Sequence, residues 1–168
     1  MPSWSTNIAN ELIKLASKER KAFNQMQLQE LVYIAHGWCL AISGQPLTGD
    51  RPEALEHGPE YRRLADALAH YGVKPVTQDI NCGATIEIAS KSDATLSRGS
   101  ELSDFEHDIL GRIYADYGEL DIRHLAMVTR AEGTPWEAVY DGGLGKNRDI
   151  PHTLIKAQFE DVAAKIIT

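Results

Sequence analysis

The sequence lacks most of the features that would force an unusual fold or betray an unusual chemistry. Cysteine is scarce: Cys39 and Cys82 are the only two in 168 residues. They form no CxxC pair, so a redox motif or a cysteine-built zinc site is not available. A reduced chain is the simpler expectation, with a Cys39–Cys82 disulfide as the other possibility. No apolar run approaches the ~20 residues that cross a bilayer, so no membrane association is expected. The opening MPSWSTNIANELIK has no basic start followed by an apolar stretch and a small-residue cleavage site. A signal peptide is therefore not expected, and a cytoplasmic protein is. Positive charge is also short, with 17 Lys and Arg against 24 Asp and Glu and a formal net charge of −7. Neutralising phosphates supplies most non-specific nucleic-acid affinity, so a nucleic-acid partner is not expected. The densest basic stretch, Lys18-Glu19-Arg20-Lys21, reads as a solvated helix end. The acidic balance is read chiefly as a solubility feature and secondarily as a means of steering a basic partner.

What is present describes an ordinary globular chain. Hydrophobic residues make up 43% and charged residues 24%, which argues against disorder. At this length one domain over residues 1–168 is expected, burying roughly 70% of the unfolded surface. The periodicity predicts a mainly α fold, one compact domain of about six helices. Ile8, Leu12, Leu15 and Ala16 mark a first helix over about Thr6–Glu19. Leu28, Leu31, Val32, Ala35, Trp38, Cys39 and Ile42 form a stripe about 120° wide on a second, which is the width of a buried helix face. Gly44 is placed to cap that helix and Gln45-Pro46 to end it.

Pro59 fits the first position of a third helix carrying Tyr61, Leu64, Ala65, Leu68 and Tyr71, stopped by Gly72. Residues 73–100 interleave Pro, Gly, Ser, Thr and Asn, and Thr85–Ala89 alternates like a strand. A small β-hairpin is expected there. Ser103 and Glu106 have capping-box spacing and open a helix with Phe105, Ile109, Ile113 and Tyr117 towards the core. Asp121 caps a short helix with Leu125 and Val128. The last helix, about 151–166, buries Ile155, Phe159, Val162 and Ile166.

Catalytic motifs are missing. Gly142-Gly143-Leu144-Gly145-Lys146 fails as a phosphate loop, because Tyr140 and Asn147 stand where a glycine and a Ser or Thr are needed. The six histidines show no HExxH and no ligand spacing with cysteine, so no metal and no cofactor are expected. No GxSxG occurs, and Cys39 lies on the apolar stripe, where a thiol is usually inert. Glu106-His107-Asp108 groups three titratable residues, but adjacent helix positions point apart and the acids suit the helix dipole. The second helix does carry a further stripe of Gln29, Tyr33, His36 and Leu40, about 60° wide. It is read first as a packed polar side with satisfied partners, and second as a recognition surface.

Four segments, in order over about residues 24–140, then identify a family. Gln25–Trp38, QMQLQELVYIAHGW, resembles the LQKLLYYAQGW-type helix that opens Panacea domains, also called SocA-like. Gly44-Gln45-Pro46-Leu47 resembles the GKPLF segment that follows. Glu53–Pro59, EALEHGP, resembles the EAWKYGPV signature, and Leu125–Trp136, LAMVTRAEGTPW, is similar to the LS-x-LTH…SPW element. The chain departs from the pattern at Thr48, at Leu55 in place of tryptophan, at Glu60-Tyr61-Arg62 in place of Val-Val-Pro, and at Arg130 in place of histidine.

The resemblance implies an antitoxin-like module that neutralises a cognate toxin by direct binding, with some members acting as adaptors that deliver the toxin to a protease. Catalysis is not part of that picture. The matching residues Gln29, Tyr33, His36, Trp38, His57, Gly58, Pro59, Thr129, Pro135 and Trp136 are then scaffold or binding positions. Trp136 is read first as a lock on the core and second as an interface anchor. The departing segment Glu60, Tyr61, Arg62 and Arg63 becomes the candidate partner-specific surface, together with residues 73–100. Two other readings stand beside this one. The first is a phage-encoded inhibitor of a bacterial defence system. The second is a small enzyme acting on a nucleotide or a modified side chain through His36, His57 or Tyr33, a reading that clustering of those side chains in one open pocket would support.

Overall fold

A computed structural model describes residues 2–80 and 102–167. Seven α-helices and one two-stranded sheet are found among them: α1 (Ser5–Lys18), α2 (Gln25–Ser43), β1 (Glu53–Leu55), β2 (Gly58–Glu60), α3 (Arg62–Leu68), α4 (Asp104–Tyr117), α5 (Ile122–Arg130), α6 (Pro135–Tyr140) and α7 (His152–Ile167). The protein is mainly helical, as the periodicity predicts. Single 3₁₀ turns extend α3 at Ala69–Tyr71 and α6 at Asp141–Gly143.

The organising element is α2. Its start is fixed by Asn24, whose side chain accepts from the Gln27 backbone N–H while the Gln27 side chain accepts from the Asn24 N–H. These two bonds satisfy donors that a helix start otherwise leaves free. Its end is fixed by Gly44 at φ 73°, with its N–H on the Leu40 carbonyl, a left-handed cap that glycine takes without a Cβ penalty. From Leu28 to Gly37 every residue is buried. Periodicity alone predicts one apolar face; α2 is instead enclosed all round, by α7, α4 and α5 and by α1, α3 and β2. The polar stripe of Gln29, Tyr33 and His36 is therefore interior.

The contact of α2 with α7 is the closest. Gly37 faces the Phe159 ring so nearly that a Cβ on Gly37 would lie 2.2 Å from a ring carbon. Trp38 packs edge-on against the same ring, centroids 5.5 Å apart, and its indole N–H donates to the Tyr117 hydroxyl at 3.0 Å. Ile155 and Phe159 are buried as expected, but Ile166 is 71% exposed and Val162 only half-buried. Ile42 and Phe105, also expected inside, are exposed. Periodicity sets the direction of a side chain, not how far the neighbouring helix extends, and Ile42, Phe105 and Ile166 lie at helix ends.

The capping serine, Ser103, and Asp121 behave as their spacing predicts. Ser103 Oγ accepts from Glu106 N–H while Glu106 returns to Ser103 N–H, and Asp121 accepts from His124 N–H. Thr134 caps α6 in the same way, with Pro135 in its first turn. The hairpin expected within residues 73–100 falls mostly on residues outside those described, and residues 73–80 contain no strand.

The sheet lies earlier, where a turn leading straight into a helix was expected. Pro59 is not the first residue of α3; it sits in β2 opposite Ala54, flanked by the pairs Glu53–Glu60 and Leu55–Gly58. The Ala54 backbone N–H and C=O instead meet Arg148 O and Asn147 N, at 2.8 and 2.9 Å. Ala54 and Pro59 thus form a non-hydrogen-bonded pair, the one ladder position where a residue without an N–H loses nothing.

Candidate functional site

Two of the family-like segments, Gln25–Trp38 and Leu125–Trp136, hold the β1–β2 hairpin and the residue after it through side chains of three helices. From α2, Gln29 Nε2 donates to the Tyr61 carbonyl at 3.1 Å and its Oε1 accepts the Tyr61 N–H at 2.8 Å. From α5, Arg130 Nη1 donates to the His57 carbonyl at 3.1 Å. From α6, Trp136 Nε1 donates to the Leu55 carbonyl at 2.7 Å, and its ring stacks on Tyr140 at 4.9 Å. Gly58, at φ 122°, closes the two-residue turn in a conformation that side-chain-bearing residues rarely take.

The buried stripe of α2 continues this network. His36 is fully buried, and its Nδ1 lies 3.3 Å from both the Leu47 and Thr48 N–H groups and 3.2 Å from the Thr48 hydroxyl. Accepting two backbone N–H bonds through Nδ1 requires the neutral ring with its proton on Nε2. Burial pushes its pKa down to about 3, and the neighbouring His152 ring adds to the effect. Tyr33, also fully buried, has its phenol pushed up by burial and by the carboxylate of Glu30. Gln29 and His36 Nδ1 thus hold interior backbone groups, whereas the Tyr33 hydroxyl and His36 Nε2 are buried without a hydrogen-bond partner among the described residues, against the expectation of a fully satisfied stripe.

Tyr33, His36 and His57 do not share a pocket: the first two are buried, while His57 is exposed on the hairpin turn. The candidate surface Glu60–Arg63 also needs correction at Tyr61, whose side chain is fully buried, with its hydroxyl 3.4 Å from Thr48 Oγ1. Its backbone is held by Gln29, which turns the ring inward. Glu60 remains half-buried, and Arg62 and Arg63 are exposed. Arg62 pairs with Glu53 at 3.0 Å, offsetting the like-charge opposition of Glu53 and Glu60 across the sheet. Arg63 lies over the Trp4 ring at 4.0 Å. Thr129 and Pro135 are buried scaffold, while Trp38 and Trp136 are half-buried. Trp136 locks α6 to the hairpin, and with it to the core.

A residue that the sequence reading passed over makes this region more than scaffold. Glu30 is 5% exposed, and its Oε2 has no hydrogen-bond partner. It forms one wall of a pocket of about 290 Å³ between the start of α2 and the hairpin, with Met26, Glu56, His57, Pro59 and Lys146 among the other lining residues. Burial drives the Glu30 carboxyl up to about 7, against the opposing influence of the Thr129 hydroxyl and the Arg130 charge. The available signal was a single acid, Glu30, immediately before the apolar run from Leu31 to Ala35. A charge in the middle of a buried helix must be paired, protonated or useful.

Glu30 and His36 make a specific pH prediction. Glu30 binds its proton more tightly in the folded chain than at its ordinary 4.5, so its stabilising effect is complete below 4.5 and is lost as pH rises towards 7. His36 is the reverse: its folded pKa of about 3 lies below the ordinary 6.5, so stability is lost as pH falls from 6.5 towards 3. Between about 4.5 and 6.5 the two slopes oppose each other, and the wild-type chain should show little change of stability there. Glu30→Gln should uncover the histidine slope, about 1.4 kcal/mol per pH unit, rising with pH. Urea midpoints measured across this range check it: a wild type that already shows the variant's slope would mean that Glu30 titrates normally, and a flat variant would mean that His36 does.

The sequence pattern of the family described as antitoxin SocA-like, Panacea domain, matches residues 28–137. The protein called Antitoxin SocA from Caulobacter vibrioides (strain NA1000 / CB15N) is 27% identical over 160 residues, covering 90% of this chain and 80% of that protein. No solved structure matches. The chain belongs to the SocA-like Panacea family.

Proposed function

We propose that this member of the SocA-like Panacea family is an antitoxin that neutralises a cognate toxin by direct binding and performs no catalysis of its own. The observation that carries the reading is the family match over residues 28–137, which spans the segments gathered around the hairpin. The relative called an antitoxin supports the same role. The geometry is compatible with binding rather than chemistry, because Tyr33 and His36 are both buried and His36 Nδ1 is taken up by the Leu47 and Thr48 backbone N–H groups.

In this reading the enclosed α2 and its clamps keep the hairpin rigid, and the exposed turn at Glu56–His57 with its pocket meets the toxin. Rigid presentation lowers the ordering cost of binding. Delivery of the toxin to a protease is the adaptor form of the same function, and the test separates the two. The product of the neighbouring gene is expressed alone and together with this chain. Growth arrest relieved by co-expression, with a complex that co-purifies, is the expected result. Relief that persists in a strain lacking the protease supports neutralisation by binding alone, and relief lost in that strain supports the adaptor form. A neighbour that is harmless alone and never co-purifies removes the proposal.

A further inference from the structure

We infer that the pocket between the start of α2 and the β1–β2 turn is the seat of one cationic side chain, a lysine or arginine, supplied by the protein partner. The inference rests on the antitoxin reading only for the identity of that partner.

Size comes first. A pocket of about 290 Å³ lies at the lower limit for small-molecule sites, so it suits one long side chain better than a cofactor. The hollow beside Leu144, Arg148 and Pro151 is larger, about 500 Å³, but no polar side chain that lines it is buried.

Chemistry comes second. Glu30 is 95% withdrawn from solvent by its 5% exposure, lines the pocket, and leaves Oε2 without a hydrogen bond. Among the described residues it makes no ion pair. The Arg130 charge reaches it, but the Arg130 guanidinium is engaged with the His57 carbonyl. Lys146 also lines the pocket and, among the described residues, forms no ion pair with a carboxylate there. The Thr129 hydroxyl and the Arg130 charge offset only part of the cost of burying this carboxylate, and a cation brought within hydrogen-bonding distance offsets more of it.

The walls complete the match. Met26, 47% exposed, and Pro59 are apolar surfaces for an aliphatic stem, while Glu56 and Glu60 stand at the pocket as further acids. Lysine and arginine are the side chains with an apolar stem and a cationic tip. The net charge of −7 adds long-range attraction for a basic surface.

The test uses the full-length ¹⁵N-labelled chain titrated with Nα-acetyl-arginine amide, Nα-acetyl-lysine amide and, as an uncharged shape control, Nα-acetyl-citrulline amide. Saturable shifts at the Glu30 and Gly58 amides are expected with both cations. Citrulline should bind at least about tenfold more weakly, the loss expected when a buried charge goes unmatched. Glu30→Gln should reduce cation binding by a similar factor. Because that residue is buried, Met26→Lys provides a second variant at an exposed position. It places a competing cation at the mouth and should abolish the shifts without altering the fold.

Equal binding of citrulline, unchanged binding in both variants, or no saturable shift at these amides overturns the inference. In the co-expression assay, wild-type relief of toxicity that both variants retain in full also overturns it, yet leaves the antitoxin reading standing. Failure of the wild-type chain to relieve toxicity or co-purify removes the antitoxin reading instead, and the amide titration still decides the pocket.

Discussion

Gly37→Ala is expected to destabilise the protein by about 2 kcal/mol net, although alanine is ordinarily the better helix residue. Gly to Ala in a helix interior gains roughly 1 kcal/mol from propensity. Here the added Cβ would lie 2.2 Å from one Phe159 ring carbon and 2.3 Å from another. The ring cannot retreat easily, because it is 1% exposed and Trp38 packs on it at 5.5 Å. Overpacking of a filled core costs about 1–3 kcal/mol and occasionally more, and this clash is with a fixed aromatic rather than the loose end of a flexible chain.

Phe159→Ala by itself should cost about 3–5 kcal/mol, from lost burial and the cavity left behind. The two changes together should cost less than their sum by about 1–3 kcal/mol, since the alanine methyl then enters the space the ring vacated. Urea denaturation of the wild type, both single variants and the double variant measures this cycle. Strict additivity would mean that α2 and α7 do not meet at Gly37.

Gln29→Met is the second large effect. Methionine preserves the length of the side chain and its core volume, so packing is nearly conserved. What disappears is a pair of bonds to the backbone of Tyr61, at 3.1 and 2.8 Å, in a place where Gln29 is 8% exposed and Tyr61 fully buried. Each backbone group left unsatisfied costs about 1–3 kcal/mol, so a total of roughly 2–6 kcal/mol is expected. The loss should be local as well as global. Amide exchange at Tyr61 and along β2 should accelerate more than exchange in α4, which does not touch this clamp. A variant with wild-type stability and unchanged exchange at Tyr61 would show that another group holds the hairpin.

Much of the helical framework was legible because it depends on nearby residues. The stripe on α2 gave its direction, Gly44 its end, and Ser103 with Glu106 and Asp121 the starts of α4 and α5. Each of these signals works over three or four residues. The same signals misplaced Pro59. A proline after glycine suits a helix start, and only the lateral pairing of Ala54 with residues 147–148 makes its missing N–H harmless in a strand. Tyr61 is the same kind of case. It stands where the chain departs from the family pattern, which suggested a variable surface, yet Gln29, 32 positions away, fixes its backbone with the ring inside.

Glu30 marks the limit of sequence reading in this protein. Its presence in an apolar run could be noticed, but its meaning depends on what surrounds it. A carboxylate exposed on a helix is unremarkable; the same group beneath Gly58, beside Thr129 and at the side of a pocket holds its proton to about 7.

The sequence by itself determined the mainly helical class, the caps, the core direction of α2 and the family, because these follow from residue type and short-range spacing. The tertiary structure alone decided that α2 is enclosed on every side, that its polar stripe lies in the interior, and that side chains of three helices hold one hairpin over an incompletely paired acid. Burial and desolvation are set by whichever segments pack together, and that information is not carried by any local window of the chain.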